Sequence, residues 1–206
     1  MALSRMVHAG QIPDLPVFVD SPMALRGLEI YRRGIRAGNP QFRPEVLARP
    51  DAFEPRHLRL AHTPEDSQKL NTPGHPCIII SASGMAAGGR VLHHLRHQLP
   101  DPRNGVIFTG FQVPGTRGRA LVDGAGEIKI HGRYVPVRAE TTQVDGFSAH
   151  ADAAELVDWL SAVHVPGTAF VVHGERSASA ALAERLRQQL GWTAVVPEYL
   201  ERVGLG

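Results

Sequence analysis

Pro76-Cys77-Ile78-Ile79-Ile80-Ser81-Ala82-Ser83-Gly84-Met85-Ala86-Ala87-Gly88-Gly89 decides the fold class of this chain. Residues 76–80 are a short apolar run of the kind a fully buried strand requires. The loop 81–89 that follows is small at Ser81, Ala82, Ser83, Gly84, Ala86, Ala87, Gly88 and Gly89, and it opens into a helix over Arg90 to Gln98. The same strand, loop, helix order recurs on both sides. Upstream, Pro16-Val17-Phe18-Val19 reads as a strand ending at Asp20. Ser21 and Pro22 then supply an N-cap and a first-turn proline for a helix to about Ile35. Leu58-Arg59-Leu60 is a further strand, and Thr63-Pro64-Glu65-Asp66 opens a second helix with capping-box spacing. Downstream, Val106-Ile107-Phe108 ends in Thr109-Gly110. Strands alternating with helices predict an α/β fold with a parallel, doubly wound sheet over about 16–125.

The pattern changes after Gly126. Glu127-Ile128-Lys129-Ile130, a turn at His131-Gly132 and Arg133 to Arg138 alternate in and out as the arms of a β-hairpin do. A helix from Asp152 to about Val163, a strand at Thr168 to Val172, a helix from Ser177 to Leu190 and a strand at Thr193 to Val196 complete the chain. In the first long helix Leu28, Tyr31 and Ile35 recur at helical spacing, while Arg26 and Arg33 share another face. The stretch 37–57 is rich in Pro and Arg, has weak periodicity, and reads as a surface excursion with one turn of helix.

Composition bounds the function. With 206 residues, 43% of them hydrophobic and 20% charged, the chain is an ordinary globular sequence of one or two domains. No apolar run approaches the roughly 18 residues of a membrane helix, and the N-terminus lacks the apolar stretch of a signal peptide, so a cytoplasmic location and no membrane partner are expected. Cys77, the single cysteine, begins an apolar run and reads as a small buried hydrophobe. Arginine accounts for 20 of the 22 basic residues, with lysine only at 69 and 129. Arginine suits bidentate phosphate contact, yet a net charge of +2 gives nucleic-acid binding only weak support.

Several residues could carry chemistry. The 81–89 loop places small residues and backbone N–H groups ahead of a helix, where phosphate is favoured, although a tight strand-to-helix connection reads the same way. It is not a P-loop, because no G-x-x-x-x-G-K-[ST] occurs. Gly115-Thr116-Arg117-Gly118-Arg119 offers two guanidinium groups, read either as a phosphate contact or as a solvated basic turn. Asp20 is a candidate polar contact or a helix cap. His93 and His97 are four apart on one helix, but with no Glu between them in the H-E-x-x-H manner they read as an exposed helix face. His150 precedes Asp152, the expected N-cap, and His173 closes a strand ahead of Gly174. On spacing alone His173 is equally a metal ligand or a histidine bonded to backbone.

Taken together, Asp20-Ser21-Pro22-Met23-Ala24, Ser81-Ala82-Ser83-Gly84-Met85, Thr109-Gly110-Phe111-Gln112 with Gly115 to Arg119, Gly146-Phe147-Ser148-Ala149-His150-Ala151-Asp152 and Val171-Val172-His173-Gly174-Glu175 resemble the β-CASP branch of the metallo-β-lactamase superfamily. The five motifs stand in that family's order along nearly the whole chain. The resemblance implies a zinc-dependent RNA-processing nuclease, in which two zinc ions hold the attacking hydroxide and the β-CASP domain clamps single-stranded RNA. By resemblance His173 is a zinc ligand and His150 the general acid. Ser81, Ser83, Gly84, Met85, Thr116, Arg117, Arg119 and Ser148 then face the RNA. The family's H-x-H-x-D-H zinc signature has no counterpart, since no two histidines here are separated by one residue. The expectation is therefore a partial β-CASP domain over 1–125. A C-terminal metallo-β-lactamase, RNA-specificity segment follows over 126–206 and contributes strands and helices to an αββα core. Its partners would be RNA and either an N-terminal metallo-β-lactamase half or a second copy. A non-catalytic RNA-binding or dimerisation module and an inactive remnant are the alternatives.

Overall fold

β1 (Val17–Asp20) is the central strand of a three-stranded parallel sheet, flanked by β2 (Leu58–Leu60) and β3 (Ile78–Ser81). Val17 pairs with Leu58 and with Ile78, and the register carries through to Asp20 beside Ser81, so the C-terminal ends of the strands share one edge. This is a computed structural model, and it describes residues 2–49, 51, 53–148, 150–164 and 167–204. A short helix, α1 (Ala2–His8), precedes β1. α2 (Pro22–Arg36) follows β1 as the Ser-Pro pair predicts: Ser21 Oγ accepts the Ala24 N–H at 3.2 Å, and Leu25 and Ile35 are buried. The 37–57 excursion contains one turn, α3 (Pro44–Leu47). α4 (Pro64–Lys69) starts on the reciprocal capping box of Thr63 and Asp66.

α5 (Val91–Gln98) and β4 (Gly105–Phe108) come next, then α6 (Arg117–Val122). The hairpin is β5 (Glu127–Ile130) and β6 (Arg133–Pro136). Its two turn residues, His131 and Gly132, have φ of 47° and 78°, the two left-handed positions that a tight hairpin turn demands. Leu92, Leu95 and Leu99 from the α5 region, Phe108, Leu121, and Ile128, Ile130 and Val135 of the hairpin form one buried cluster.

Two features depart from expectation. The parallel strands do not form one ladder, because β4 pairs in parallel with β7 (Glu140–Gln143) as a separate two-stranded sheet. The four residues of β7, Glu-Thr-Thr-Gln, lack the apolar run that marks a strand. Arg117 and Arg119 also stand in the first turn of α6 rather than on a flexible turn, because Thr116 accepts the Arg119 N–H at 3.2 Å and caps that helix.

A second unit begins after residue 148 and is compact in its own right. α7 (Ala153–Ser161) is capped by Asp152 and Glu155 acting reciprocally. β8 (Ala169–Phe170) pairs in parallel with β9 (Ala194–Val195), and α8 (Arg176–Leu190) runs between them, ending at left-handed Gly191. Val157, Val171, Ala183, Leu186, Trp192 and Ala194 make its core. Among the described residues no helix is long and apolar enough to cross a membrane.

Asp20, fully buried, organises the strand ends of the first unit. Its carboxylate accepts Ser67 Oγ at 2.6 Å, Arg90 Nη1 at 2.6 Å and contacts His94 Nε2 at 2.6 Å. Its own carbonyl accepts Ser81 Oγ at 2.9 Å. Arg90 continues to the carbonyl of Ala61 at 3.1 Å, and His94 Nδ1 lies 3.0 Å from Asn71 Oδ1. The loop leaving β3 is thus tied to Asp20 at its first residue and again at Arg90. A second lock joins that loop to the one after β4. Buried Gln112 donates to the carbonyls of Gly84 (3.0 Å) and Gly110 (2.9 Å), and the Gly118 N–H donates to the Met85 carbonyl at 3.0 Å. Gly118 must lack a side chain, since a Cβ there would meet Gln112 Oε1 at 1.8 Å.

Burial works against ionisation of Asp20, but the bonds from Ser67, Arg90 and His94 outweigh it and hold the carboxyl below its ordinary range. Asp20→Asn is expected to destabilise the fold by about 3–5 kcal/mol in urea denaturation at neutral pH, the usual cost of leaving a buried ion pair without one partner. Because the native value is depressed, the stabilisation is complete above the unfolded aspartate value of about 3.9 and is lost as pH falls through the native one. Asp20→Asn should flatten that acid limb, and an unchanged limb would contradict the network. Gly118→Ala should destabilise by about 1–3 kcal/mol despite the better helix propensity of alanine. Adding Gln112→Ala to it should cost less than the sum of the two single changes, because the contact with Gln112 is then gone and the tight approach to the Met85 backbone at 3.1 Å is what remains.

Candidate functional site

The two interlocked loops bring most of the expected RNA-facing residues together at the C-terminal ends of β3 and β4. Ser81 is turned inward to Asp20, as described. Ser83 folds its own loop: its Oγ accepts the Ala87 N–H at 3.3 Å and its carbonyl the Ala86 N–H at 3.1 Å. Two of the amides expected for phosphate are thereby satisfied internally. Gly84 is exposed at the crest, and the Gly84 and Met85 carbonyls point at Gln112 and Gly118. Thr116 donates to the Val113 carbonyl at 2.6 Å while capping α6.

The two arginines differ from the free cations that the sequence suggests. Arg117 Nε donates to the Lys129 carbonyl at 2.6 Å, and its Nη1 reaches the Ala87 carbonyl at 3.3 Å. It therefore bridges the β3 loop to the hairpin and keeps its Nη2 edge for a further acceptor. Arg119 Nε pairs with Asp123 at 2.9 Å, four residues on in the same helix. Phosphate at Arg119 would share the guanidinium with that carboxylate. Such exposed pairs are worth about 0–1 kcal/mol, so the exchange is inexpensive.

Sequence reasoning missed the residues beneath these loops. His94 is buried on the inner side of α5, while His93 and His97 are exposed as expected. Helical spacing alone does not mark it, since position 94 lies about 60° around the helix from exposed His97 and about 100° from buried Leu95. Gln98 Nε2 donates to the Asn71 carbonyl at 2.7 Å and holds Asn71 for His94. Asp20 is not a helix cap; Ser21 is.

Ser148 is exposed at the end of the first unit, with its N–H donated to the Asp145 carbonyl at 3.2 Å; Ala149 lies outside the described residues. In the second unit His150 is exposed two residues ahead of the Asp152 cap. His173 lies three residues beyond β8 and is itself left-handed, with φ of 64°. This is an unusual conformation for a residue with a side chain, and such outliers concentrate at functional positions. Gly174 is small for a local reason, because a Cβ there would approach buried Ser179 Oγ to 2.7 Å. His173 lines an open depression of about 380 Å³ with Val172, Arg176, Glu198, Tyr199 and Leu200. Arg176 closes one wall through a bidentate pair with Glu198 at 2.6 and 3.2 Å.

Among the described residues no three His, Cys, Asp or Glu side chains converge as a metal site. Zinc normally takes three or four protein ligands, so the residues present do not by themselves fit a zinc ion.

Comparison with known proteins agrees with the geometry. Residues 1–121 match the family described as the Beta-Casp domain, and residues 134–197 match the Zn-dependent metallo-hydrolase RNA specificity domain. Ribonuclease TTHA0252 of Thermus thermophilus is 37% identical over 179 residues, covering 87% of this chain and 41% of that protein. The RNase J-like protein of Methanocaldococcus jannaschii is 32% identical over 197 residues, covering 96% of this chain and 44% of that protein. Transcription termination factor FttA of Pyrococcus abyssi is 30% identical over 199 residues, covering 91% and 31%. The chain spans less than half the length of each of these relatives. Because the Beta-Casp match takes in more than half of its residues and the RNA specificity match follows in order, this chain belongs to the β-CASP family of metallo-hydrolases.

Proposed function

We propose that this chain is the RNA-holding and proton-donating portion of a zinc-dependent endoribonuclease, completed by a segment that carries the H-x-H-x-D-H signature. The observation that carries this reading is the interlocking of the β3 and β4 loops at one strand edge, in a chain matched to the RNA specificity domain. Ser83, Gly84, Met85, Thr116, Arg117 and Arg119 would follow the RNA backbone there, with Ser81 holding the loop from inside and Ser148 extending the contact. Phosphate contact of this kind is independent of sequence and sensitive to salt.

His173 would give one imidazole to zinc, which would supply Lewis acidity at the phosphodiester once the remaining ligands arrive from the completing segment. His150 would donate the proton to the leaving oxygen, since imidazole serves as an acid near neutral pH. The second unit has room for such a segment. Among the described residues its β8–β9 sheet has two strands, a size that is marginal alone, and Val172, Tyr199 and Leu200 beside His173 are 65%, 92% and 81% exposed. We place the family boundary near residue 126, with 1–125 as the β-CASP part. The hairpin then belongs to the later segment by descent, although it buries Ile128 and Ile130 in the first unit's core. A non-catalytic RNA-binding module is the second reading, favoured by the lack of a three-ligand cluster among the described residues.

Mixing the chain with a polypeptide carrying the H-x-H-x-D-H half of a relative should give zinc-dependent RNA cleavage, while the chain alone retains less than one zinc per molecule after dialysis. His173→Ala should lose zinc and cleavage together. His150→Ala should keep the zinc and slow cleavage by about 10²–10⁴-fold, a deficit that shrinks for an RNA analogue with a better leaving group. A folded, zinc-loaded assembly that cuts no RNA would establish the binding-module reading, and loss of zinc in His150→Ala would reverse the two histidine roles.

A further inference from the structure

The positive charge of this chain is concentrated away from the loops discussed so far. Residues 26–49 contain six arginines and two glutamates, whereas the whole chain has a net charge of only +2, so the remainder is net negative. Within that stretch Arg26, Arg33 and Arg36 are exposed on α2, and among the described residues none of their guanidinium groups has a hydrogen bond or ion pair. Other exposed arginines are paired, as Arg103 is with Asp101 and Arg187 with Glu184. Arg32 beside them is 3.1 Å from Glu54, and Glu29 shares a shallow depression with Arg32, Arg33 and Arg36 without bonding to any of them.

At 100° per residue Arg26, Arg33 and Arg36 lie within roughly 80° of arc; Arg26 and Arg33 are turned well away from buried Leu25 and Ile35, and Arg36, at the last residue of α2, is exposed although its direction is close to that of Leu25. They spread over about 15 Å of helix at 1.5 Å per residue. That spacing is too wide to converge on one phosphate and suits a partner with several negative charges in a row. α2 also leaves the strand edge where the β3 loop starts, since Asp20 pairs with Ser81 and Ser21 caps the helix. An extended polyanion lying on that loop and continuing along α2 would meet Arg26 first, then Arg33 and Arg36. Ile30, 59% exposed between Arg26 and Arg33, offers apolar surface to a sugar or base.

We infer that the outer face of α2 is a second contact for single-stranded RNA, a track along which the strand runs beyond the loops. This rests on the proposed RNA-holding role and extends it to a surface that none of the five motifs reaches beyond Ala24. The contact is to the phosphate backbone and carries no sequence preference.

The test is fluorescence anisotropy of the full chain with single-stranded RNA of about five and about fifteen nucleotides across a range of salt. Replacing Arg26, Arg33 and Arg36 together by Gln should lower the log–log salt slope for the long RNA by about 2, at roughly 0.7 per phosphate, and should weaken it tenfold or more at low salt. The short RNA should be unaffected. The triple Lys variant should retain the slope, and each single Gln variant should lower it by about 0.7, so the result does not hinge on one variant folding. An unchanged slope, or equal weakening of both RNAs, would overturn the track while leaving the proposed function intact. Competition by polyglutamate as strong as by RNA would assign the face to an acidic protein instead. No RNA binding by the unaltered chain would overturn both.

Discussion

The Asp20 carboxylate sits with no solvent exposure at the end of β1 and takes Ser67 from α4 and Arg90 and His94 from the start and inner face of α5. A buried charge costs several kcal/mol unless its lone pairs are matched, and here each partner also fixes a different piece of chain. Arg90 passes the constraint to the residue after β2, His94 passes it to Asn71, and Ser81 is held by the Asp20 carbonyl. The ends of three strands and two helices are therefore set by one residue. A hydrophobic replacement could fill the space but could not hold the β3 loop at both of its ends.

The chemistry of the strand edge follows from that constraint. A loop of serine, alanine and glycine has little to pack, so it keeps a shape only if its ends and its middle are tied. Asp20 ties the ends, and Gln112 with Gly118 ties the middle to the loop after β4. Once tied, the loop satisfies some of its own polar groups internally, as Ser83 shows, and its Ala87 carbonyl takes up part of the Arg117 guanidinium from α6. What stays exposed there is the crest at Gly84, one edge of Arg117, Arg119 paired with Asp123, and the unpaired arginines of α2, the groups that the proposed RNA contact would use. Such a surface would read the backbone of a nucleic acid rather than its bases.

Much of this was legible in the sequence. Ser21-Pro22, Thr63 with Asp66, and Asp152 with Glu155 announced three helices through their caps, and His131-Gly132 announced the hairpin through its turn. The motifs identified the family that the comparisons then showed. What failed did so where tertiary contacts override local signals. β7 has a polar sequence and exists because β4 offers it a parallel edge. Arg117 reads as a free cation until three backbone carbonyls gather around it. His94 reads like its neighbours because a run of histidines hides which ring faces inward. The apolar run at 76–80, by contrast, marked β3 as a strand without help from a partner, although the strand is not fully buried and Ile80 is 43% exposed.

Hydrogen exchange of the chain with and without single-stranded RNA tests the RNA-holding role most directly. Binding is predicted to slow exchange at backbone amides in 82–89 and 110–118 and to leave the buried β1 amides unchanged. Slowing confined to the second unit, or no slowing anywhere at saturating RNA, would contradict the assignment of these two loops as the surface that holds the strand.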